Sequence, residues 1–237
     1  MVKKETEGIR RSIRQAAKSC KQEEADFVEG YLGTKRKFLC LKPQDRNRIL
    51  TKATVSLKGL NPGEAMNILD DLFLTDTFED FNFAGKLLTR LPEVRRTLRL
   101  SRVEKWVLHS NGWAECDSIC QSLFQGKEIP PRWDEWQKTI RKFSKSKNIQ
   151  LRRASLVLQT KPTRESSNSE LRELAYETIE RLKHEKETLV TKAVSWLLRS
   201  LARQDKKEVF RYLQKNKESL PKIAYRETMK KLKTRRK

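Results

Sequence analysis

The sequence has little of what several large protein classes depend on. No apolar run approaches the roughly 20 residues that cross a bilayer. The first thirty positions alternate charges with isolated hydrophobes, where a secretory leader would need one continuous apolar stretch. The chain is therefore expected to stay in the cytoplasm and to have no membrane partner. There are four cysteines, Cys20, Cys40, Cys116 and Cys120, and two histidines, His109 and His184. A chain of 237 residues can bury a core without disulfides, so reduced thiols are expected. Cys116 and Cys120 can share a helix face, yet zinc would need two more ligands and only His109 is near in sequence. Small buried side chains are expected there, with no metal and no cofactor. Alternating β-branched runs are nearly absent apart from Ala53 to Leu57, which excludes a sheet-based fold.

Acidic residues are also in deficit, with 31 Asp and Glu against 53 Lys and Arg and a net charge of +22. Stability does not require that imbalance, so the excess points outward to a polyanion. Nucleic acid, an anionic membrane surface and an acidic protein all fit the charge, which narrows the class without choosing within it.

What is abundant is helical periodicity. Asn61-Pro62-Gly63-Glu64 offers a cap, a proline at the first helical position and a glutamate in the capping-box place. Leu91-Pro92-Glu93, Ser167-Asn168-Ser169-Glu170 and Ser219-Leu220-Pro221 mark further starts. About a dozen helices of roughly 10 to 18 residues are expected, paired at a step of about 40 residues that suits HEAT-like repeats. The fold class is thus all-α, a helical repeat solenoid with a concave basic face, forming a single domain over 1–237. A compact helical bundle is the alternative. Gln125 to Arg132 and Thr160 to Ser169 are expected as loops. From Arg203 to Lys237 the chain carries 14 Lys or Arg against 4 Asp or Glu and still shows helical spacing, with only the last few residues fraying.

Three segments carry candidate chemistry. In the helix from about Thr188 to Arg203, Leu189, Val190, Ala193, Val194, Leu197, Leu198, Leu201 and Ala202 form the packing stripe. Trp196 lies off it, between Lys192 at i−4 and Arg199 at i+3. That ring either packs on the next repeat or offers a ligand surface. In the second segment, Asn111-Gly112 signals a turn before a helix that places Trp113 and Asp117 on one face. Asp117 is then either a dipole-satisfying cap or, beside a tryptophan in so basic a chain, a carboxylate placed to meet a cation. The third segment, Leu151-Arg152-Arg153-Ala154, sets paired arginines where they can fork to phosphates or to a carboxylate.

Taken in order, Trp113-x-x-x-Asp117, Leu-Arg152-Arg153-Ala and Lys192-Ala-Val-Ser-Trp196-Leu-Leu-Arg199 resemble the signature of the AlkD-type DNA alkylation repair glycosylases. Tyr31 followed by Phe38, and Arg226-Glu227 near the end, are similar to that family as well. The resemblance implies a repeat fold that cradles duplex DNA and excises alkylated purines such as 7-methylguanine or 3-methyladenine. Asp117 would be its catalytic carboxylate, with Trp113, Trp196 and Tyr31 at the lesion. Arg152 or Arg153, Lys161, Lys192 and Arg199 would hold the DNA backbone, Arg153 being preferred because Lys161 then follows at the family's spacing. A monomer acting on alkylated double-stranded DNA is the expected assembly. A non-catalytic helical DNA-binding scaffold shares the basic surface and is the alternative function.

Overall fold

The computed structural model describes residues 2–17 and 21–234. Among them are fourteen α-helices: α1 (Val2–Ala16), α2 (Gln22–Leu32), α3 (Pro43–Lys58), α4 (Pro62–Phe73), α5 (Phe78–Arg90), α6 (Pro92–Thr97) and α7 (Leu100–Leu108). The others are α8 (Trp113–Ser122), α9 (Trp133–Ser144), α10 (Ile149–Glu165), α11 (Ser169–Leu182), α12 (Thr188–Leu201), α13 (Lys206–Lys215) and α14 (Lys222–Lys233). The all-α class follows, with Lys37 and Thr77 making one isolated parallel bridge. Even Ala53 to Leu57 is helical, because Ile49, Leu50, Ala53 and Leu57 fall on one buried stripe of α3. Among the described residues no helix is long and apolar enough to cross a membrane.

The chain forms two compact units, Met1–Leu123 and Phe124–Lys237. In the first, α4 and α8 both pack on α5, and α1 lies against α3 and α4. Its core is dense in aromatics: Phe73 stacks on Trp106 with centroids 4.3 Å apart and meets Phe81 edge-on at 5.2 Å. Trp106 is fully buried, and its indole Nε1 donates to Asp70 Oδ1 at 2.7 Å, so the ring is buried without losing its hydrogen bond. In the second unit α10 packs on α12 and α12 on α14, each beside the helix that precedes it. Those three helices start at Ile149, Thr188 and Lys222, close to the step of about 40 residues read from the sequence. Val190, Ala193, Val194, Leu197, Leu198 and Leu201 are buried as the stripe requires, while Leu189 is half-buried at its end.

Two helix starts form as anticipated. Asn61 Oδ1 accepts from Glu64 N at 2.9 Å while Glu64 Oε2 accepts from Asn61 N at 3.4 Å, a complete capping box. Asn168 Oδ1 accepts from Leu171 N at 3.1 Å at the start of α11.

Three expectations are corrected. Thr160 to Glu165 is not loop but the last part of α10, which passes through Pro162. Proline forfeits one ladder bond there, but Thr160, Pro162 and Thr163 are buried, and Thr163 Oγ1 donates to Gln159 O at 2.7 Å, so packing holds the helix. Gln125 to Arg132 is mostly two ordered 3-10 turns, Gly126–Glu128 and Pro130–Arg132. Cys40 is disulfide-bonded where a reduced thiol was expected; it is only half-buried, in a non-helical stretch, with φ at 56°. Cys116 and Cys120 are buried thiols with Sγ atoms 4.0 Å apart, whereas Cys20 and the expected fraying tail lie outside the described residues. Two helices are also shorter than expected, α6 at 6 residues and α7 at 9.

Leu197→Ala, at a site with no solvent exposure, is expected to lower the unfolding free energy by about 2 to 5 kcal/mol. Asn61→Ala, which removes one side of an exposed capping box, is expected to cost about 1 kcal/mol. Chemical denaturation of both variants checks the order of the two effects.

Candidate functional site

In the first unit the site is built on α8. Gly112 is its cap residue and Trp113 its first residue, so Asp117 is the fifth residue, beyond the first turn. The acid in the first turn is Glu115, at the capping-box position, and its Oε2 accepts from Asn111 N at 2.8 Å. The capping role considered for Asp117 thus falls to Glu115. Asp117 stands one turn from Trp113 on the same helix face, and both side chains are half-buried.

Glu115 has no solvent exposure, and Arg36 is 4% exposed. The Arg36 guanidinium lies 3.1 Å from Glu115 Oε2 through Nε, and its Nη atoms donate to the carbonyls of Thr75 and of His109, the latter at 2.6 Å. Thr34 Oγ1 donates to the other carboxylate oxygen and accepts from Arg36 N at 3.0 Å. Beneath the guanidinium, the Phe81 ring lies with its centroid at 4.7 Å. A buried charge is tolerable only when it is paired and hydrogen-bonded; here both carboxylate oxygens and both Nη atoms have hydrogen-bond partners, while Arg36 Nε faces Glu115 as an ion pair without a hydrogen bond. Its consequence is that the start of α8 is tied to the segment after α2 and to α5.

That tie brings Tyr31 to Trp113. Gly33 ends α2 at φ 66°, in the left-handed region that glycine adopts without steric cost. Its backbone comes so close to Gly112 that any Cβ at Gly112 would overlap the Gly33 carbonyl oxygen. Trp113 Nε1 donates to Tyr31 O at 2.8 Å, and the two rings meet edge-on with centroids 5.7 Å apart. Tyr31 remains 67% exposed, so the aromatic pair faces solvent. Phe38 stands apart from it, tilted against Phe78 at 6.0 Å.

In the second unit Lys192, Trp196 and Arg199 emerge on one side of α12, opposite its buried stripe; Lys192 is exposed and the other two are half-buried. Arg199 Nη2 lies 3.5 Å from Glu227 Oε2 on α14, and its Nε donates to Ser195 O at 3.2 Å. Ser195 Oγ donates to the same Glu227 oxygen at 2.7 Å. The guanidinium is therefore aimed by Glu227 but keeps 37% of its side chain exposed. Lys161 is half-buried on α10.

Neither arginine of the Arg152-Arg153 pair is set out as a surface contact. Arg152 Nε lies 2.9 Å from Glu185 Oε1, and its Nη1 donates to Ser146 O at 3.0 Å and Lys147 O at 2.8 Å. Arg153 is 4% exposed and donates to the carbonyl of Leu189 near the start of α12. Both spend donors on protein acceptors, which fixes α10 against the segments on either side of α12's entry. The structure thus groups Tyr31, Trp113 and Asp117 in the first unit and Lys192, Trp196 and Arg199 in the second. Sequence reasoning missed Arg36, Glu115 and the Gly33–Gly112 approach. Of these only Glu115 carried a local signal, its capping-box spacing from Gly112.

Removing one partner of the buried pair leaves the other charge stranded, so Glu115→Ala is expected to destabilise the protein by about 3 to 5 kcal/mol. Gly112→Ala is expected to lower the thermal midpoint and to speed amide exchange at Thr34, whose N–H donates to Glu29 O at 3.1 Å. Unchanged exchange at Thr34 in Gly112→Ala would show that the close approach does not hold α2.

A family model described as "DNA alkylation repair enzyme" matches residues 12–232, spanning both units. One solved structure, described as "Predicted DNA alkylation repair enzyme from Enterococcus faecalis", aligns with a TM-score of 0.74 at 16% identity, over 93% of this chain and 100% of that chain. At such identity the likeness concerns the fold alone. No curated protein matches the chain in sequence. With almost its whole length matched, the chain belongs to the DNA alkylation repair enzyme family, which gives it an enzymatic role in the repair of alkylated DNA.

Proposed function

We propose that this protein is an N-glycosylase that excises positively charged N3- and N7-alkylated purines, such as 3-methyladenine and 7-methylguanine, from duplex DNA. The observation that carries this reading is Asp117, presented one helical turn from Trp113 on a helix whose start is locked by Glu115 and Arg36. A cationic purine leaves as a neutral base when its glycosidic bond breaks, so no strong general acid is required. The remaining need is to stabilise positive charge developing on the deoxyribose and to position water, and one carboxylate does both.

At about 4 Å and an effective dielectric near 20, a single anion–cation contact has a scale of about 4 kcal/mol. Realised only in the transition state, that corresponds to roughly a thousandfold in rate. Trp113 would add cation–π attraction to the charged lesion, about 0.5 to 2 kcal/mol, Tyr31 would extend the wall it forms, and Trp196 of the second unit is a further aromatic surface of the same chemistry. Lys161, Lys192 and Arg199 would hold the phosphate backbone, while Arg152 and Arg153 position α10 and α12 for that contact. Selectivity then follows from charge, because an unmodified purine offers no cation and is a poor leaving group.

Purified protein is expected to release free 7-methylguanine from methylated duplex. Asp117→Asn should lower the single-turnover rate by about a thousandfold with duplex affinity nearly intact. Tight binding without release by the unaltered protein would leave a DNA-binding scaffold in place of an enzyme.

A further inference from the structure

Several arginines of the first unit are paired with a carboxylate. Arg10 meets Glu7 at 3.1 Å, Arg48 meets Asp45 at 2.8 Å, and Arg36 meets Glu115 at 3.1 Å. The surface between α3 and α5 is different. Lys86, half-buried in α5, has Arg46 of α3 and Arg90 one turn along α5 as the charged groups acting on it. Burial first, and then those two cations, push the Lys86 ammonium below the usual lysine range. Arg90 crosses toward α3, its Nη1 donating to Thr51 Oγ1 at 3.5 Å. Among the described residues none of these three cations has a carboxylate partner.

Holding like charges together costs stability, since each is repelled by its neighbours and the half-buried Arg46 and Lys86 are also partly deprived of water. An anion set between them would offset both costs. The composition of the cluster suits an oxyanion with several acceptor oxygens: two planar guanidinium forks and one compact ammonium, the pattern that recognises phosphate. A carboxylate ligand would be met by one fork, whereas a phosphate group has acceptor oxygens for more than one of these cations.

We propose that Arg46, Lys86 and Arg90 form a phosphate clamp that takes one phosphodiester of the nucleic-acid backbone. This rests on the reading that the protein works on duplex DNA and adds a contact in the first unit, on the α3–α5 surface.

The test uses the full chain with Lys86→Gln and Arg90→Gln combined. Three quantities are measured: thermal stability, affinity for a short undamaged duplex across a salt series, and the thermal shift caused by millimolar inorganic phosphate. The clamp predicts a midpoint that stays level or rises, because repulsion is relieved. It also predicts a salt slope shallower by about 1, because one phosphodiester contact is lost, and affinity at about 0.1 M salt weaker by about tenfold. A lower midpoint with unchanged slope and affinity would make the cluster structural and overturn the proposal. If phosphate stabilises the unaltered protein but not the variant while the duplex slope is unchanged, the site takes a free anion and the backbone assignment is wrong. Absence of duplex binding by the unaltered protein would remove the clamp together with the reading beneath it. Base release is read separately, so loss of excision sinks the glycosylase reading alone, and an unchanged slope sinks the clamp alone.

Discussion

The carboxylate of Glu115, wholly withdrawn from water, is the constraint on which the presentation of Trp113 and Asp117 depends. Its two oxygens accept from Thr34 and from the Asn111 amide, and the Arg36 guanidinium neutralises it. A buried ion pair is a poor source of net stability, so its value here is geometric: with both carboxylate oxygens and both Nη atoms bonded, the start of α8 is held in place. The Gly33–Gly112 approach reinforces this, since no side chain can be placed between the two backbones. Glu115 holds the start of α8, and Asp117, two residues on, is half-buried on the face it shares with Trp113.

The same economy governs the cations. Arg36, Arg102, Arg152 and Arg153 bond to protein acceptors and serve the fold. Arg199 is aimed by Glu227 yet stays partly exposed, Lys192 projects from α12, and Arg46, Lys86 and Arg90 sit together without acidic relief. A net charge of +22 is therefore not spread evenly in its consequences. The cations that lack acidic partners are the ones with something to gain from a polyanion, and their attraction to it is the part that salt would weaken.

Much of this was legible in the sequence wherever the cause was local. The α12 stripe, the position of Trp196 off it, the Asn61 capping box and the Trp113–Asp117 spacing all follow from a period of 3.6 residues and a few capping side chains. What could not be read depends on partners distant in the chain. Arg36 gives no sign in sequence that it will meet Glu115, and two glycines as far apart as Gly33 and Gly112 do not announce a backbone contact. Arg152 and Arg153 look like phosphate ligands until Glu185 and the Leu189 carbonyl are placed beside them. Pro162 reads as a loop signal, and burial on both sides overrules it.

The central claim is that the Asp117 carboxylate meets positive charge on a damaged nucleotide. The most direct measurement compares affinity for two duplexes without a base at the lesion position. One carries a cationic pyrrolidine in place of the deoxyribose, mimicking the charge that develops there, and the other a neutral tetrahydrofuran of the same shape. The unaltered protein should prefer the cationic duplex, and Asp117→Asn should bind both alike. Equal affinity of the unaltered protein for the two, or a preference that survives Asp117→Asn, would contradict the account.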